Sequence, residues 1–205
     1  MVGNADAAQA LARGNIYGLL ARITRAEVDA SLLGAFRQPG VLEALREAGA
    51  DLAPALAGAD DGALLEELAT AYAYLFLLNL SPHESVQRGE GRLWGDRTVA
   101  AGAFLEEAGL AVEGETSLLP DHISLELAVM QRLSADEAAR LSAGDETGAE
   151  ALRSLQKRYL KEHLGAWGVK FFGDAERAAN HEFYRQLSRL AREFLHSDLV
   201  FFGLA

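Results

Sequence analysis

Apolar residues recur along nearly the whole chain at steps of three and four, and nowhere do they alternate in the two-residue rhythm of a strand bounded by hairpin turns. Ala12, Ile16, Leu19, Leu20 and Ile23 form one such stripe, Leu65, Leu68, Tyr72, Leu75 and Phe76 a second, and Phe183, Leu187, Leu190 and Phe194 the last. Side chains at that spacing share one helix face, so each stripe needs another helix to cover it. The expected fold is all-α: a single-domain helical bundle over residues 1–205, with eight or more helices of uneven length and no internal repeat.

Breaks between the stripes carry helix-start chemistry. Thr24 followed by Glu27 reads as a capping box that opens a second helix through Val28, Leu32 and Phe36. Asp60 and Asp61 precede a helix over residues 63–79, expected to be central. Residues 81–96, SPHESVQRGEGRLWGD, have no clear period and read as a connector, inside which Ser81, Pro82 and Glu84 spell the N-cap, N1 and N3 positions of a capping box. Asp96 is expected to cap a helix to Ala108, residues 110–119 to form a loop, and residues 119–133 the next helix. Ser134 with Glu137 predicts a further capping box and a short helix to Ser142, followed by a polar spacer at 143–150. A long amphipathic helix then carries Leu152, Leu155, Tyr159 and Leu164 to Trp167, read as a core residue.

With 30 acids against 19 Lys and Arg the formal charge is -11, which repels polyphosphate and favours cationic partners, so nucleic acid is not expected as a ligand. The chain has no cysteine, which removes disulfides, thiolate metal sites and thiol nucleophiles. No signal-peptide pattern and no apolar run of membrane-spanning length are present, so a cytoplasmic protein without stable membrane insertion is expected.

Few residues invite chemistry. LPDHISLELAVMQRL places Pro120, Asp121 and His122 at the mouth of a helix, where helix-start chemistry explains the Pro and the Asp and leaves the imidazole without a role. His122 and Glu126 are spaced to share a helix face, which with Asp121 or His163 is a minimal metal-ligand set for a metal-dependent enzyme, but no HExxH or paired ExxH motif accompanies them. No nucleophile elbow, Walker pattern or dinucleotide fingerprint occurs. Trp94 lies in a polar, Gly-rich stretch with no stripe to join, and reads equally as core or as binding surface.

Four blocks resemble the TorD/DmsD/NarJ family of chaperones that mature molybdenum-containing redox enzymes: NIYGLLARI, YLFLLNLSPHESV followed by LWGDRTV, LPDHISLELAVM, and YLKEHLGAWGVKFF with HEFYRQLSRLAREFL. The Asp-His pair and the later HLxxW and FY segments are closer to the TorD/DmsD branch. The resemblance implies a non-catalytic cytoplasmic protein, with no cofactor of its own, that binds the twin-arginine leader of a molybdopterin-dependent oxidoreductase precursor before export. It places leader binding on Asp121 and His122, with Pro120 shaping the approach, and on the connector through Pro82, Glu84, Ser85, Trp94, Gly95 and Asp96. Two guanidinium groups followed by an apolar segment call for carboxylates beside an apolar groove. Glu84, Asp96, Asp121 and Glu126 are the candidate acids, with Tyr72, Phe76 and Trp94 the candidate walls. The resemblance allows a monomer or a helix-exchanged homodimer. A non-catalytic assembly subunit of a redox complex is the alternative.

Overall fold

The computed structural model describes residues 2–58, 60–110 and 118–205, and part of the loop expected at 110–119 lies outside them. The described residues contain nine α-helices and no strand: α1 (Val2–Arg25), α2 (Ala30–Phe36), α3 (Pro39–Glu47), α4 (Asp61–Tyr72), α5 (Asp96–Glu107), α6 (Ile123–Ser142), α7 (Glu146–Glu162), α8 (Leu164–Ala178) and α9 (Glu182–Phe201). A 3-10 turn (Pro54–Leu56) and two π-helical segments (Ala73–Asn79 and Val86–Glu90) complete the described helical structure.

Helix α1 lies along α6, α6 packs on α7, α7 on α8 and α8 on α9, while α4 and the π segment after it touch α9 and α8. The stripes read from the sequence meet in one core, with Tyr17, Phe36, Tyr159, Phe171, Phe172, Phe183 and Tyr184 all buried. Its aromatic centre runs through Phe76, whose ring lies 6.3 Å from Phe171 and 6.0 Å from Tyr184. Tyr72 and Phe76 are therefore interior side chains and not the groove walls expected of them. The outward residues of that segment are Tyr74, Leu77 and Leu78.

All three capping boxes are corrected. Thr24 Oγ1 bonds back to the Leu20 carbonyl inside α1, and α2 is capped instead by Asp29, which accepts from Leu32 N at 2.8 Å. Helix α6 runs unbroken through Ser134 and Glu137, because both side chains are buried and face α7: Ser134 Oγ reaches Gln156 Oε1 (3.1 Å) and Glu137 accepts from Gln156 Nε2 (2.8 Å). Residues 81–83 are not helical, so Ser81 caps nothing. The spacer is also shorter than expected, since Asp145 caps α7 by accepting from Gly148 N.

The long helix expected to reach Trp167 is divided at His163 into α7 and α8 without an intervening loop. Gly165 permits this tight junction. A β-carbon there would overlap the Leu160 carbonyl oxygen, a close approach that only glycine tolerates.

Candidate functional site

The connector is tied to the start of α6 by a short antiparallel bridge between His83 and His122. Glu84 N–H donates to the Asp121 carbonyl (2.9 Å) and Ile123 N–H to the Pro82 carbonyl (2.8 Å). Extended backbone at His122 is what an N-cap needs, and His122 rather than Asp121 caps α6: its Nδ1 accepts from Ser124 N (3.1 Å) and lies 2.8 Å from Ser124 Oγ. The imidazole left without a role by the sequence is thus the cap itself. Burial, assisted by the neighbouring His83, lowers the His122 pKa to about 4, which keeps Nδ1 free to accept.

Asp121 faces back into the connector. Its Oδ2 accepts from Ser85 N (3.0 Å) and its Oδ1 lies 3.6 Å from His83 Nδ1. Burial works against its ionisation, but the nearby His83 imidazole and the hydrogen bond from Ser85 N–H outweigh that cost and hold the carboxyl well below the usual range.

Glu84, fully buried, is the hub on the other side: Oε1 accepts from Arg88 Nη1 (2.7 Å) and lies 3.9 Å from Arg97 Nη1, and Oε2 is 2.9 Å from His163 Nδ1. Glu126, one turn into α6 and equally buried, accepts from Trp167 Nε1 (3.0 Å). Burial, then the nearby Glu84 carboxyl, push Glu126 well above the ordinary carboxylate pKa. Three carboxylates, three imidazoles and an indole thereby lock the connector onto α6 and the α7–α8 junction. Asp121, Glu84 and Glu126 face internal donors and one another, so the open carboxylate-lined groove expected from the sequence is absent at these three positions.

What the connector does present is Trp94. The chain leaves the π turn through Gly89 (φ 89°) and Gly91 (φ 66°) and reaches Trp94 at φ 60°, the only non-glycine with positive φ among the described residues. Trp94 is 72% exposed and Leu93 beside it is also exposed. A bulky residue in the left-handed region is strained by about 1–2 kcal/mol, and the loop is held from below. Gly95 takes the N-cap position of α5 but has no side chain to cap with, so Glu90 reaches across and accepts from Arg97 N (3.1 Å). Asp96 is an exposed first-turn acid rather than the cap. A β-carbon on Gly95 would overlap the Glu90 carboxylate. Gly95→Ala should therefore displace that cap, lowering stability by about 1 kcal/mol in urea denaturation and loosening the Trp94 loop.

The structure brings Pro82, Glu84, Ser85, Asp121, His122 and Glu126 together, leaves Pro120 half-buried beside them, and places Trp94 and Asp96 outside on the same connector. His83, Arg88 and Arg97 also belong to the lock, with no sequence reading pointing to them beyond the PHES segment that contains His83, and His163, grouped with His122 and Glu126 by the sequence as a metal ligand, joins it as the partner of Glu84 instead. His122 and Glu126 are committed to Ser124 and Trp167, and among the described residues no three His, Asp or Glu side chains are grouped to hold a metal ion.

No described helix is long and apolar enough to cross a membrane. No curated protein matches the chain. A solved structure from Archaeoglobus fulgidus, assigned as a redox enzyme maturation protein, shares the fold with a TM-score of 0.55 at 22% identity, covering 90% of this chain and 93% of that one. The sequence profile of the nitrate reductase delta subunit family matches residues 38–173, a span that includes the connector, the capped start of α6 and the α7–α8 junction. The chain belongs to that family, the NarJ/TorD-type chaperones that serve molybdoenzymes.

Proposed function

We propose that this protein is a cytoplasmic maturation chaperone that binds the twin-arginine leader of a molybdenum-containing oxidoreductase precursor, and holds the precursor until its cofactor is inserted. Binding is stoichiometric and reversible, with no covalent step. The observation that carries the reading is Trp94: an exposed indole held in strained backbone by a dedicated cap, beside an exposed acid, Asp96, on the connector. Strain maintained by surrounding structure is characteristic of binding and catalytic positions. An indole next to a carboxylate suits a segment that carries guanidinium groups and then apolar residues.

In this reading Trp94, Leu93 and Asp96 make the contacts. Pro82, Glu84, Ser85, Gly95, Pro120, Asp121, His122 and Glu126 position them, and Tyr72 and Phe76 support the floor from within the core. The net charge of -11 speeds encounter with a cationic leader.

Isothermal calorimetry with the leader peptide of the cognate enzyme should show saturable binding, with a Kd on the order of micromolar. Changing both leader arginines to glutamine should weaken it. Trp94→Ala should lower affinity about tenfold or more while leaving the thermal midpoint nearly unchanged, as loss of an exposed anchor does. Absence of binding to any leader of the same organism would refute the reading.

A further inference from the structure

The carboxyl pair at the centre of the lock has a use beyond positioning. Glu84 and Glu126 are both fully buried, one on the connector and one on α6. Glu84 is served by Arg88, His163 and the more distant Arg97, whereas Glu126 has the Trp167 indole on one oxygen, and its Oε1 meets no protein donor among the described residues. Their partners His163 and Trp167 stand four residues apart at the α7–α8 junction, so the two carboxyls converge on one buried site, and Glu84 is among the causes that raise the Glu126 pKa. Two carboxylates so placed repel in a dry site, and they attract only with a proton between them. We infer that Glu84 and Glu126 share one proton across the seam between the connector and α6, and that lifting the connector releases it, which makes the connector a proton-linked latch.

Charge placement puts the proton on Glu126, because Glu84 already has cationic donors. The other groups facing the pair are Asp121 at the bridge, Tyr159 from α7, whose buried hydroxyl has no bonded partner among the described residues, and His163 at the α7–α8 junction. Once the connector lifts, Glu126 meets water and ionises as an ordinary carboxyl. The closed form holds the proton and the open form does not, over the whole range from the ordinary carboxyl pKa up to the raised pKa of Glu126 in place. In that range the opening constant rises tenfold per pH unit, and above it the rise stops.

The test is independent of any client. Amide hydrogen exchange of residues 84–97, corrected for intrinsic rates, should show wild-type protection falling about tenfold per pH unit above the ordinary carboxyl range, until the raised pKa of Glu126 is passed. Glu126→Gln places an amide donor where the proton was and keeps an acceptor for Trp167, so its protection should be flat with pH. In infrared spectra the wild type should show a carboxylic-acid carbonyl band at neutral pH that Glu126→Gln lacks. Glu84→Gln removes the repelling charge, so the band should titrate away at lower pH than in the wild type. An unchanged slope in Glu126→Gln, loss attributable to His83 or His163 instead, or a band indifferent to Glu84→Gln would overturn the latch. If Glu126→Gln fails to fold, the Glu84→Gln band shift decides the matter by itself.

Discussion

Replacing Arg13 with leucine should lower the unfolding free energy by about 3–5 kcal/mol, the loss typical of stripping one partner from a buried ion pair. Arg13 is buried on α1, with Nε 2.6 Å from Asp198 Oδ1, Nη2 3.0 Å from Asp198 Oδ2 and 2.8 Å from Gln156 Oε1, and Nη1 3.4 Å from Glu137 Oε2. Its guanidinium carbon lies 5.0 Å from the Phe201 ring centre and 4.9 Å from that of Phe202. One side chain thus joins α1 to α6, α7 and α9. Burial opposes its charge, and the Asp198 carboxylate more than offsets that cost. Without Arg13, Asp198 keeps among the described residues only Tyr17 as a bonded side chain and Glu137 keeps Arg153 and Gln156, so Asp198 suffers most. The thermal midpoint should fall by about 10 °C. The double variant Arg13→Leu, Asp198→Leu should recover part of the loss, because removing both partners leaves no unpaired charge. A loss under about 1 kcal/mol in urea denaturation of the single variant would mean that the network is hydrated and not structural.

How far the sequence reveals this arrangement depends on how local each signal is. The helical stripes depend only on neighbours three and four residues away, and they locate the helices and the core faces, including Trp167. Capping boxes misled because their letters also serve distant partners. Ser134 and Glu137 have the spacing of a helix start, yet they are the α6 side of the network that Gln156 and Arg13 complete from α7 and α1. A PDH triplet announces a helix start, but whether Asp121 or His122 becomes the cap depends on the bridge to His83, 39 residues earlier by numbering. The burial of Glu84 was equally hidden, since its partner His163 is 79 residues away and the intervening chain gives no sign of the pairing. Trp94 reads as core or surface with equal ease, because its exposure follows from a left-handed backbone that has no signature in residue type.

As the pH falls below 6.5 the proton held by Glu126 adds stability down to the ordinary carboxyl pKa, and the group that opposes this gain is His122. Its pKa is about 4 in the folded protein against an ordinary value of 6.5, so unfolding takes up a proton throughout the interval between them. The sign follows: the stability this residue confers is complete above pH 6.5 and is lost as the pH falls from 6.5 to 4, about 3 kcal/mol in all. The structural event is loss of the cap, because a proton on Nδ1 removes the lone pair that accepts from Ser124 at the start of α6. Asp121 adds a second loss at lower pH, since its folded pKa lies below its ordinary one and its hydrogen bond from Ser85 N–H and its pairing with His83 persist until it is protonated. His122→Asn separates the two. An asparagine caps through an oxygen that does not titrate, so its urea-derived stability should be close to wild type at pH 7, and between pH 6.5 and pH 4 the variant should gain on the wild type by about one proton's worth of slope. Below pH 4 the two proteins should decline together through Asp121. Parallel curves across the upper interval would show that another group carries the acid sensitivity, and would remove the imidazole cap as its cause.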